Sequence, residues 1–352
     1  MSILFAILIF SFLIFIHEFG HFITAKLSGV QVNEFSMFMG PAIWKKQKGE
    51  TLYSIRCIPI GGYCAMEGED GDSENPRSFG NAAWWKRLII LVAGAAMNFI
   101  AGIVIVALLY APVQGFIAPT IDHFEDYATV NGENGLQVGD RFLEVDGEKI
   151  YLATDVNTML ALNPGDYHDI VVERDGKRVE LKDFYLERHE ITNADGSKSS
   201  LIGFSFGTME GTFLNKLDMT WKTAVNWVRT VRLSLQMLLT GQASFSQMSG
   251  PVGIVQQMGQ VADASANWVA ALENMLFFGA FLAVNLAVMN LLPIPALDGG
   301  RVVSLLLTTA IEKITKKKLN PKYEGYIHAA GMVLLLGLMA VIMLKDIIFI
   351  FK

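Results

Sequence analysis

Charged residues, positive charge above all, are scarce in this chain of 352 residues. Only 18% of the residues are charged, and 28 lysines and arginines face 34 aspartates and glutamates, for a net charge of -6. This balance argues against nucleic acid as a partner. With 52% hydrophobic residues and a mean hydropathy of +0.38, the composition excludes an ordinary soluble globule and indicates a membrane protein with a substantial polar part.

Cysteine is nearly absent as well. Cys57 and Cys64 follow the first apolar run, on the side that the charge distribution assigns below to the reducing cytoplasm. Two cysteines there give no disulfide framework, and their spacing matches no zinc motif.

The first apolar run has no charged residue between positions 3 and 16, and it continues through His17-Glu18-Phe19-Gly20-His21. Its length is about the twenty residues that a bilayer requires. A cleaved signal peptide is the alternative, but a basic start and a small-residue cleavage site are both missing before Lys26. The run therefore predicts a transmembrane helix.

The charged group inside this run has a specific spacing. His17 and His21 are four residues apart, so they lie on one face of a helix and can bind one zinc ion, while Glu18 faces the same site as a general base. Ionisable side chains at membrane depth are costly, which makes a functional site the first hypothesis. The pattern predicts metalloprotease chemistry inside the membrane.

Three further apolar runs are long enough to cross a bilayer, at residues 88–113, at 275–292 with a continuation to 311, and at 329–351. Residues 26–87 contain eight lysines and arginines and residues 301–322 contain six, whereas none precedes the first run. Because positive loops stay inside, both segments are expected in the cytoplasm, with the termini and the long polar region outside. Lys345, Asp346 and Lys352 mildly oppose this topology.

A third metal ligand is needed, because a catalytic zinc site usually has three protein ligands. Asp298 is the candidate, since it follows Pro293 and Pro295 within an apolar stretch. The prolines should unwind the helix, and unwound backbone at membrane depth must be buried in protein or line a water-filled cavity. Spans one and three run in the same direction, so Asp298 can reach the depth of His17. A turn aspartate at a cytoplasmic helix start is the alternative.

With these motifs in order, the chain resembles the site-2 protease family of intramembrane zinc metalloproteases, in particular bacterial, PDZ-containing members like the regulator of sigma-E protease. His17 to His21 resembles the family's metal-binding motif, and residues 290–299 resemble its Asn-x-x-Pro-x-Pro-x-Leu-Asp-Gly motif. The resemblance implies Zn2+ held by His17, His21 and Asp298, with Glu18 as the catalytic base. It also implies that four residues of the third span hold an unwound substrate: Asn285, Asn290, Pro293 and Pro295.

Other segments resemble the family less specifically. Residues 34–41 and 60–69 are similar to a membrane-associated β-structure that can pair with an extended substrate, although a purely structural loop is equally compatible. In residues 94–99, Ala95 stands where the family usually has proline, and Asn98 is a plausible polar contact. Residues 250–254 resemble a motif whose function the sequence does not reveal.

The polar region between spans two and three has turn and strand signals typical of one PDZ domain, over roughly residues 115–208. One of them is a hairpin around Asp175-Gly176. After this region, apolar residues recur at helical spacing and predict an amphipathic helix on the outer membrane surface or against the PDZ domain: Trp221, Val225, Val228, Leu235 and Leu238. His328 is expected at the membrane interface, and His123, His168 and His189 on the surface.

The expected fold is thus a multi-pass α-helical membrane protein with four transmembrane helices, one inserted extracytoplasmic α+β PDZ domain and a membrane-associated cytoplasmic β-loop. The predicted divisions are two transmembrane helices with the metal motif and the β-loop (1–112), the PDZ domain (113–210), an amphipathic helical linker (211–270) and two transmembrane helices with the third ligand (271–352).

The expected function is a zinc endopeptidase of the cell membrane, with its active site toward the cytoplasm. Its substrates would be single-span membrane proteins, such as anti-sigma factors, or remnant signal peptides. The lipid bilayer is a partner, and the PDZ domain either binds a peptide or acts as a size filter. Two alternatives are a membrane-anchored PDZ adaptor with a non-catalytic metal site, and a soluble zinc protease on an anchor. The anchored soluble protease would have the histidine motif in the polar region, whereas the motif lies in span one.

Overall fold

A computed structural model describes residues 2–69, 71, 73–132, 134–192, 198–244, 248–316 and 321–350. The helices in these ranges are α1 (Ser2–Ser28), α2 (Trp84–Tyr110), α3 (Ala153–Leu162), α4 (Phe213–Leu239), α5 (Pro251–Asp263), α6 (Trp268–Asn290), α7 (Asp298–Thr315) and α8 (Pro321–Ile350). The strands are β1 (Val32–Lys48), β2 (Thr51–Met66), β3 (Gly115–Phe124), β4 (Arg141–Val145), β5 (Glu148–Lys149), β6 (Tyr167–Arg174), β7 (Lys177–Tyr185), β8 (His189–Thr192), β9 (Lys198–Leu201) and β10 (Phe204–Glu210).

Four of the described helices are long and apolar enough to cross a membrane, over Ile3–Ser28, Trp84–Tyr110, Trp268–Asn290 and Gly325–Ile348. A β-sheet region is inserted between the second and the third of them. The prediction of a multi-pass membrane protein with an inserted β domain is confirmed at this level. The division into four segments stays a prediction.

The third span differs from its predicted extent. It starts at Trp268, seven residues before the predicted Met275, because the Asn267 side chain caps it by accepting from the amides of Val269 and Ala270 at 3.0 Å each. It ends at Asn290, and α7 begins at Asp298 after a stretch without helix. The two prolines therefore interrupt the helix where the sequence predicts.

The chain forms two compact units, one of Met1–Val106 with Trp227–Lys352 and one of Ala107–Asn226. In the first unit α1 lies against α5 and α6. Its buried residues Ala6, Ile9 and Leu13 share an apolar cluster with Met258 of α5 and with residues of α6 that are also buried: Met275, Leu282 and Ala283. This packing fixes the position of the helix that carries the histidine motif.

The segment between α1 and α2 forms an antiparallel hairpin of β1 and β2. Lys48 pairs with Thr51, and the turn lies between them. The strands bend back, so that Glu34 lies opposite both Leu52 and Ala65. Glu50 at the turn lies 2.6 Å from Arg77 and 2.6 Å from Lys26 at the end of α1. These two cations lower the pKa of Glu50 to about 2, and they tie the hairpin to α1.

The motif at residues 250–254 begins α5. The amides of Gly250 and Gly253 donate to the buried carboxylate of Asp346 on α8, at 2.8 and 3.0 Å. Pro251 takes the first position of the helix, where the missing N–H is not needed. The carboxylate satisfies amides that a helix N-terminus leaves unpaired, so the motif joins α5 to the last span.

The second unit contains a sheet of order β10-β3-β4-β6-β7, with β5 on β4, and a separate pair of β8 and β9. Asp175 and Gly176 form the tight turn between β6 and β7, with φ of 51° and 74°, as the Asp-Gly hairpin signal predicts. The sheet's buried residues include Phe142 and Ile170.

The prediction that His168 lies on the surface is wrong. It is 1% exposed, and its Nδ1 lies 2.8 Å from Asp146 Oδ2. Asp146 also accepts from the Asn163 side chain at 3.1 Å and from the Asp169 amide at 2.9 Å. Burial opposes ionisation of Asp146, but these hydrogen bonds outweigh it and hold the pKa of this carboxyl below its usual range.

The face of α4 that the protein buries differs from its predicted apolar face, which is expected on the membrane surface or against the PDZ domain. Trp221 is 57% exposed, and the buried side of the helix is formed by other residues: Met219, Thr220, Thr223, Ala224, Trp227, Arg229 and Val231. Three of these seven residues are polar, so the helix buries a face that hydrophobic spacing does not reveal.

Candidate metal centre

Helix α1 sets the positions of the two histidines. His17 and His21 lie one turn apart on the same face, and their Nε2 atoms are 3.2 Å from each other. His21 Nδ1 lies 2.8 Å from the backbone oxygen of Ile90 on α2. Because that oxygen can only accept, Nδ1 carries the hydrogen, and the lone pair of Nε2 points toward His17.

Two glycines let α2 approach these histidines. A Cβ on Gly94 would collide with the imidazole of His21 and lie 2.7 Å from His17 Cε1. A Cβ on Gly20 would collide with the Ala93 backbone oxygen on α2. The glycine inside the histidine motif and the glycine of the second span are therefore both needed for the close packing of α1 on α2.

Asp298 reaches the histidines because the chain breaks before α7. It is the first residue of that helix, and Ala296 two residues earlier has φ of 79°, in the left-handed region. Gly299 and Gly300 pack against the backbone of residues 291–295, where any Cβ would collide with carbonyl groups. The Asp-Gly-Gly sequence thus permits a tight return of the chain that places the carboxylate beside α1.

The three candidate ligands form a nearly equilateral triangle. Asp298 Oδ2 lies 3.2 Å from His17 Nε2 and 3.3 Å from His21 Nε2, and the histidine nitrogens are 3.2 Å apart. Atoms bound about 2.0–2.1 Å from one tetrahedral zinc ion are about 3.3 to 3.4 Å from each other. The geometry therefore fits the three protein ligands of a zinc site.

The donor set fits a metal as well. Among the described residues, Asp298 Oδ2 is buried without a hydrogen-bond partner. Among the described residues, one cluster of His, Cys, Asp or Glu side chains has ligand atoms that converge on a single point. It consists of His17, His21 and Asp298. A buried carboxylate oxygen facing two imidazole nitrogens is well placed to bind a cation, and two imidazoles with one carboxylate suit zinc.

Glu18 lies beside the ligands on α1 and faces β2. Its carboxyl is next to the backbone amide of Cys64, and a Cβ on Gly62 would lie 3.3 Å from Glu18 Cγ. It is not one of the three converging groups. This placement leaves it available to exchange a proton next to the metal position.

Two asparagines contact the far side of the His17 ring. The side-chain nitrogens of Asn98 on α2 and Asn290 on α6 lie 3.5 and 3.4 Å from His17 Nδ1. Asn98 Oδ1 is buried without a partner among the described residues. Because amide nitrogen and oxygen exchange on a half-turn, this oxygen can accept the Nδ1–H that a metal-binding Nε2 requires.

The remaining predicted substrate residues lie around the break. Pro293 and Pro295 form part of it, and half-buried Asn285 lies on α6 five positions before Asn290. Asn285 makes no hydrogen bond to the three ligands in the part of the chain that the structure describes. Asn290 is the one predicted substrate residue whose side chain contacts a ligand.

Sequence reasoning missed three residues that contribute to the metal centre. Gly20 and Gly94 act by the side chain that they lack, and His328, expected at the membrane interface, accepts a hydrogen bond from the Ala296 amide at 3.1 Å. Gly94 was visible only as part of a motif, and no pattern in the sequence connects His328 with residue 296.

The sequence profile of peptidase family M50 matches residues 5–338. A provisionally named zinc metalloprotease of Clostridium perfringens is 37% identical over 351 residues, which cover 99% of each chain. The regulator of sigma-W protease RasP of Bacillus subtilis is 29% identical over 426 aligned positions, with 97% of each chain covered. The zinc metalloprotease RasP of Geobacillus kaustophilus is 27% identical, with 98% of this chain and 97% of that protein covered.

Proposed function

The chain belongs to peptidase family M50 and is a zinc metalloprotease, and on that premise we propose that it is an intramembrane endopeptidase. Its substrates are single-span membrane proteins, among them anti-sigma factors, or remnant signal peptides. It cuts them in or near the membrane-spanning segment. The name of the Bacillus subtilis relative, a regulator of sigma-W protease, supports the anti-sigma class of substrate.

The observation that carries the proposal is the convergence of Asp298 with His17 and His21, which lie on a helix long enough to span a membrane. We assign these residues as the zinc ligands. A bound zinc ion supplies Lewis-acid chemistry, which polarises a carbonyl and makes water a nucleophile near neutral pH. Burial among apolar helices excludes bulk water and strengthens the electrostatic effect of each group.

Glu18 is proposed as the general base. Its carboxylate removes a proton from the attacking water and later gives that proton to the departing amine. The Cys64 amide beside it orients the carboxyl group. We expect Glu18 to be dispensable for zinc binding and required for turnover.

Asn285, Asn290, Pro293 and Pro295 are proposed to hold an unwound substrate. The break after Asn290 interrupts the regular backbone pairing of the helix, which suits contact with an extended chain. The segment of β2 beside Glu18 pairs on one side with Val32 to Met37 of β1. A substrate strand added to its other side would lie alongside the base.

The membrane topology is part of the proposal. Both termini and the second unit face outward, and the metal centre lies toward the cytoplasm, because the positive loops flank spans one, two, three and four on that side. We propose that the second unit is a PDZ domain. It either binds a peptide or admits only substrates that have already been trimmed.

Coexpression with a tagged single-span substrate tests this function. At matched abundance, Glu18→Gln should abolish cleavage while purified protein keeps its zinc, and Glu273→Gln, an exposed glutamate on α6, should cleave normally. Equal cleavage by the native chain and Glu18→Gln would refute the catalytic assignment. A native chain that binds the substrate and leaves it uncut, across several single-span substrates, would favour the adaptor alternative.

A further inference from the structure

The backbone is strained directly before the third ligand. Ala296 has φ of 79°, a conformation that glycine adopts easily and alanine rarely does. It lies two residues before Asp298, so its conformation decides where the carboxylate points. A strained residue persists only when neighbouring groups hold it in place.

Helix α8 supplies two such contacts. His328 Nδ1 accepts the hydrogen bond of the Ala296 amide at 3.1 Å. One turn further along α8, Gly331 packs directly on Pro295, the residue before Ala296, since a Cβ on Gly331 would lie 2.7 Å from the Pro295 oxygen. Both residues are on the same face of α8, because positions three apart on a helix are neighbours.

The hydrogen-bond directions assign the imidazole. The Ala296 amide can only donate, so Nδ1 must be the acceptor and the neutral ring carries its hydrogen on Nε2. Nε2 lies 3.5 Å from Ser304 Oγ on α7. His328 thereby bridges the turn before α7 and the helix itself, without contacting any of the three ligands.

We propose that His328 is a positioning residue for the metal centre. It holds the left-handed turn at Ala296 and so keeps the Asp298 carboxylate in the ligand triangle. The inference rests on the proposed zinc function and adds a residue from the last span to it. The side chain's essential property is an acceptor at the δ position of the ring.

Two substitutions separate this role from simple packing. In His328→Asn the side-chain oxygen occupies the δ position and can still accept, whereas in His328→Gln the amide reaches the ε position. The full-length proteins, purified in detergent, are compared by zinc affinity in competition with a chromophoric chelator. We expect His328→Gln to lower zinc affinity about 10- to 100-fold, as the loss of a residue that orients a metal ligand does, and His328→Asn to stay close to the native value.

His123→Gln, at an exposed histidine of the second unit, is the matched control and should leave zinc affinity unchanged. Adding Ala296→Gly to His328→Gln should restore part of the affinity, because glycine adopts a positive φ without strain. This double variant also separates loss of positioning from misfolding.

Equal zinc affinity of the Asn and Gln variants would overturn the proposal, whether both match the native chain or both are weakened. Absence of any recovery in the double variant would also overturn it. A native chain that binds zinc and cleaves no substrate would refute the proposed function alone, since the Asn and Gln comparison would still decide the role of His328.

Discussion

Each unit of the molecule contains a histidine facing a carboxylate at hydrogen-bond distance, but the two clusters differ in their balance of donors and acceptors. In the second unit, Asp146 receives hydrogen bonds from His168, the Asn163 side chain and the Asp169 amide. In the first unit, Asp298 Oδ2 faces the Nε2 atoms of two histidines and has no hydrogen-bond donor among the described residues. The protein satisfies the Asp146 carboxylate, whereas the Asp298 carboxylate requires a cation.

This difference shows why a buried histidine and aspartate do not by themselves mark a functional site. Where donors satisfy the carboxylate, as at Asp146, the cluster stabilises the fold. Where acceptors converge without donors, the cluster is costly unless an ion binds there. The two clusters should therefore respond in opposite ways to substitution, in metal binding and in stability.

The largest effect is expected from Asp298→Asn. Loss of a ligand should weaken zinc binding by more than the roughly 100-fold that results from losing a residue that only orients a ligand, and substrate cleavage should fall to background. The metal-free protein should unfold at the same or a higher temperature, because a buried carboxylate oxygen without a hydrogen-bond donor has been removed. Zinc content by mass spectrometry and thermal unfolding of the metal-free chain check both statements. Retained zinc and cleavage would contradict the ligand assignment.

Gly94→Ala should have the next largest effect. The added methyl group must displace His21 or separate α2 from α1, so we expect zinc affinity to fall about 10- to 100-fold. Gly337→Ala on α8 is the matched control, since no described atom lies within 4 Å of its Cβ position. If both variants bound zinc as the native chain does, the close contact of α2 with the histidines would not matter for the site.

His168→Gln tests the other cluster. Loss of the buried contact with Asp146 should destabilise the second unit by about 1–3 kcal/mol. Faster amide hydrogen exchange in β4 and β6, measured by mass spectrometry on the full chain, should report this change. Zinc affinity should stay at the native value, and a decrease would mean that the two clusters are coupled.

The smallest effect concerns an exposed ion pair and depends on pH. The pKa of Glu50 in the folded protein, about 2, lies below its ordinary value of 4.5. The ionised carboxylate therefore contributes fully to folding stability above pH 4.5, and this contribution is lost as the pH falls toward 2. Arg77→Gln removes the strongest cause of that shift. The native chain should therefore unfold at a higher temperature than this variant at pH 7, by a margin that shrinks below pH 4.5.

Lys48→Gln removes a positive charge from the same hairpin outside this ion pair, and it serves as the control. A margin for Arg77→Gln that is constant from pH 7 to pH 2 would show that Arg77 acts by packing.

Local spacing was sufficient to predict much of the metal centre. The four-residue interval places His17 and His21 on one helix face, and two prolines before Asp298 predict the break that precedes α7. The contacts of Gly94, Asn98 and His328 were not predictable in this way. They depend on how closely separate helices approach, and the residues that meet are 32 to 81 positions apart.

The helix α4 shows the limit of hydrophobic periodicity. The pattern predicts Trp221 on an apolar face toward the membrane surface or the PDZ domain, whereas the face that the protein buries contains Thr220, Thr223 and Arg229. Polar residues on a buried face hide it from any pattern based on hydropathy. The same limit applies to His168, whose partner Asp146 lies 22 positions earlier in the chain.

The joint between α5 and α8 has a consequence for how the sequence can diverge. A Cβ at Gly250 would lie 2.9 Å from Asp346 Oδ2, and one at Gly253 would lie 3.1 Å from it. A larger residue at either glycine therefore displaces the carboxylate, and a longer acid at position 346 has no space. Over generations the two glycines can change only together with position 346, more than 90 residues away.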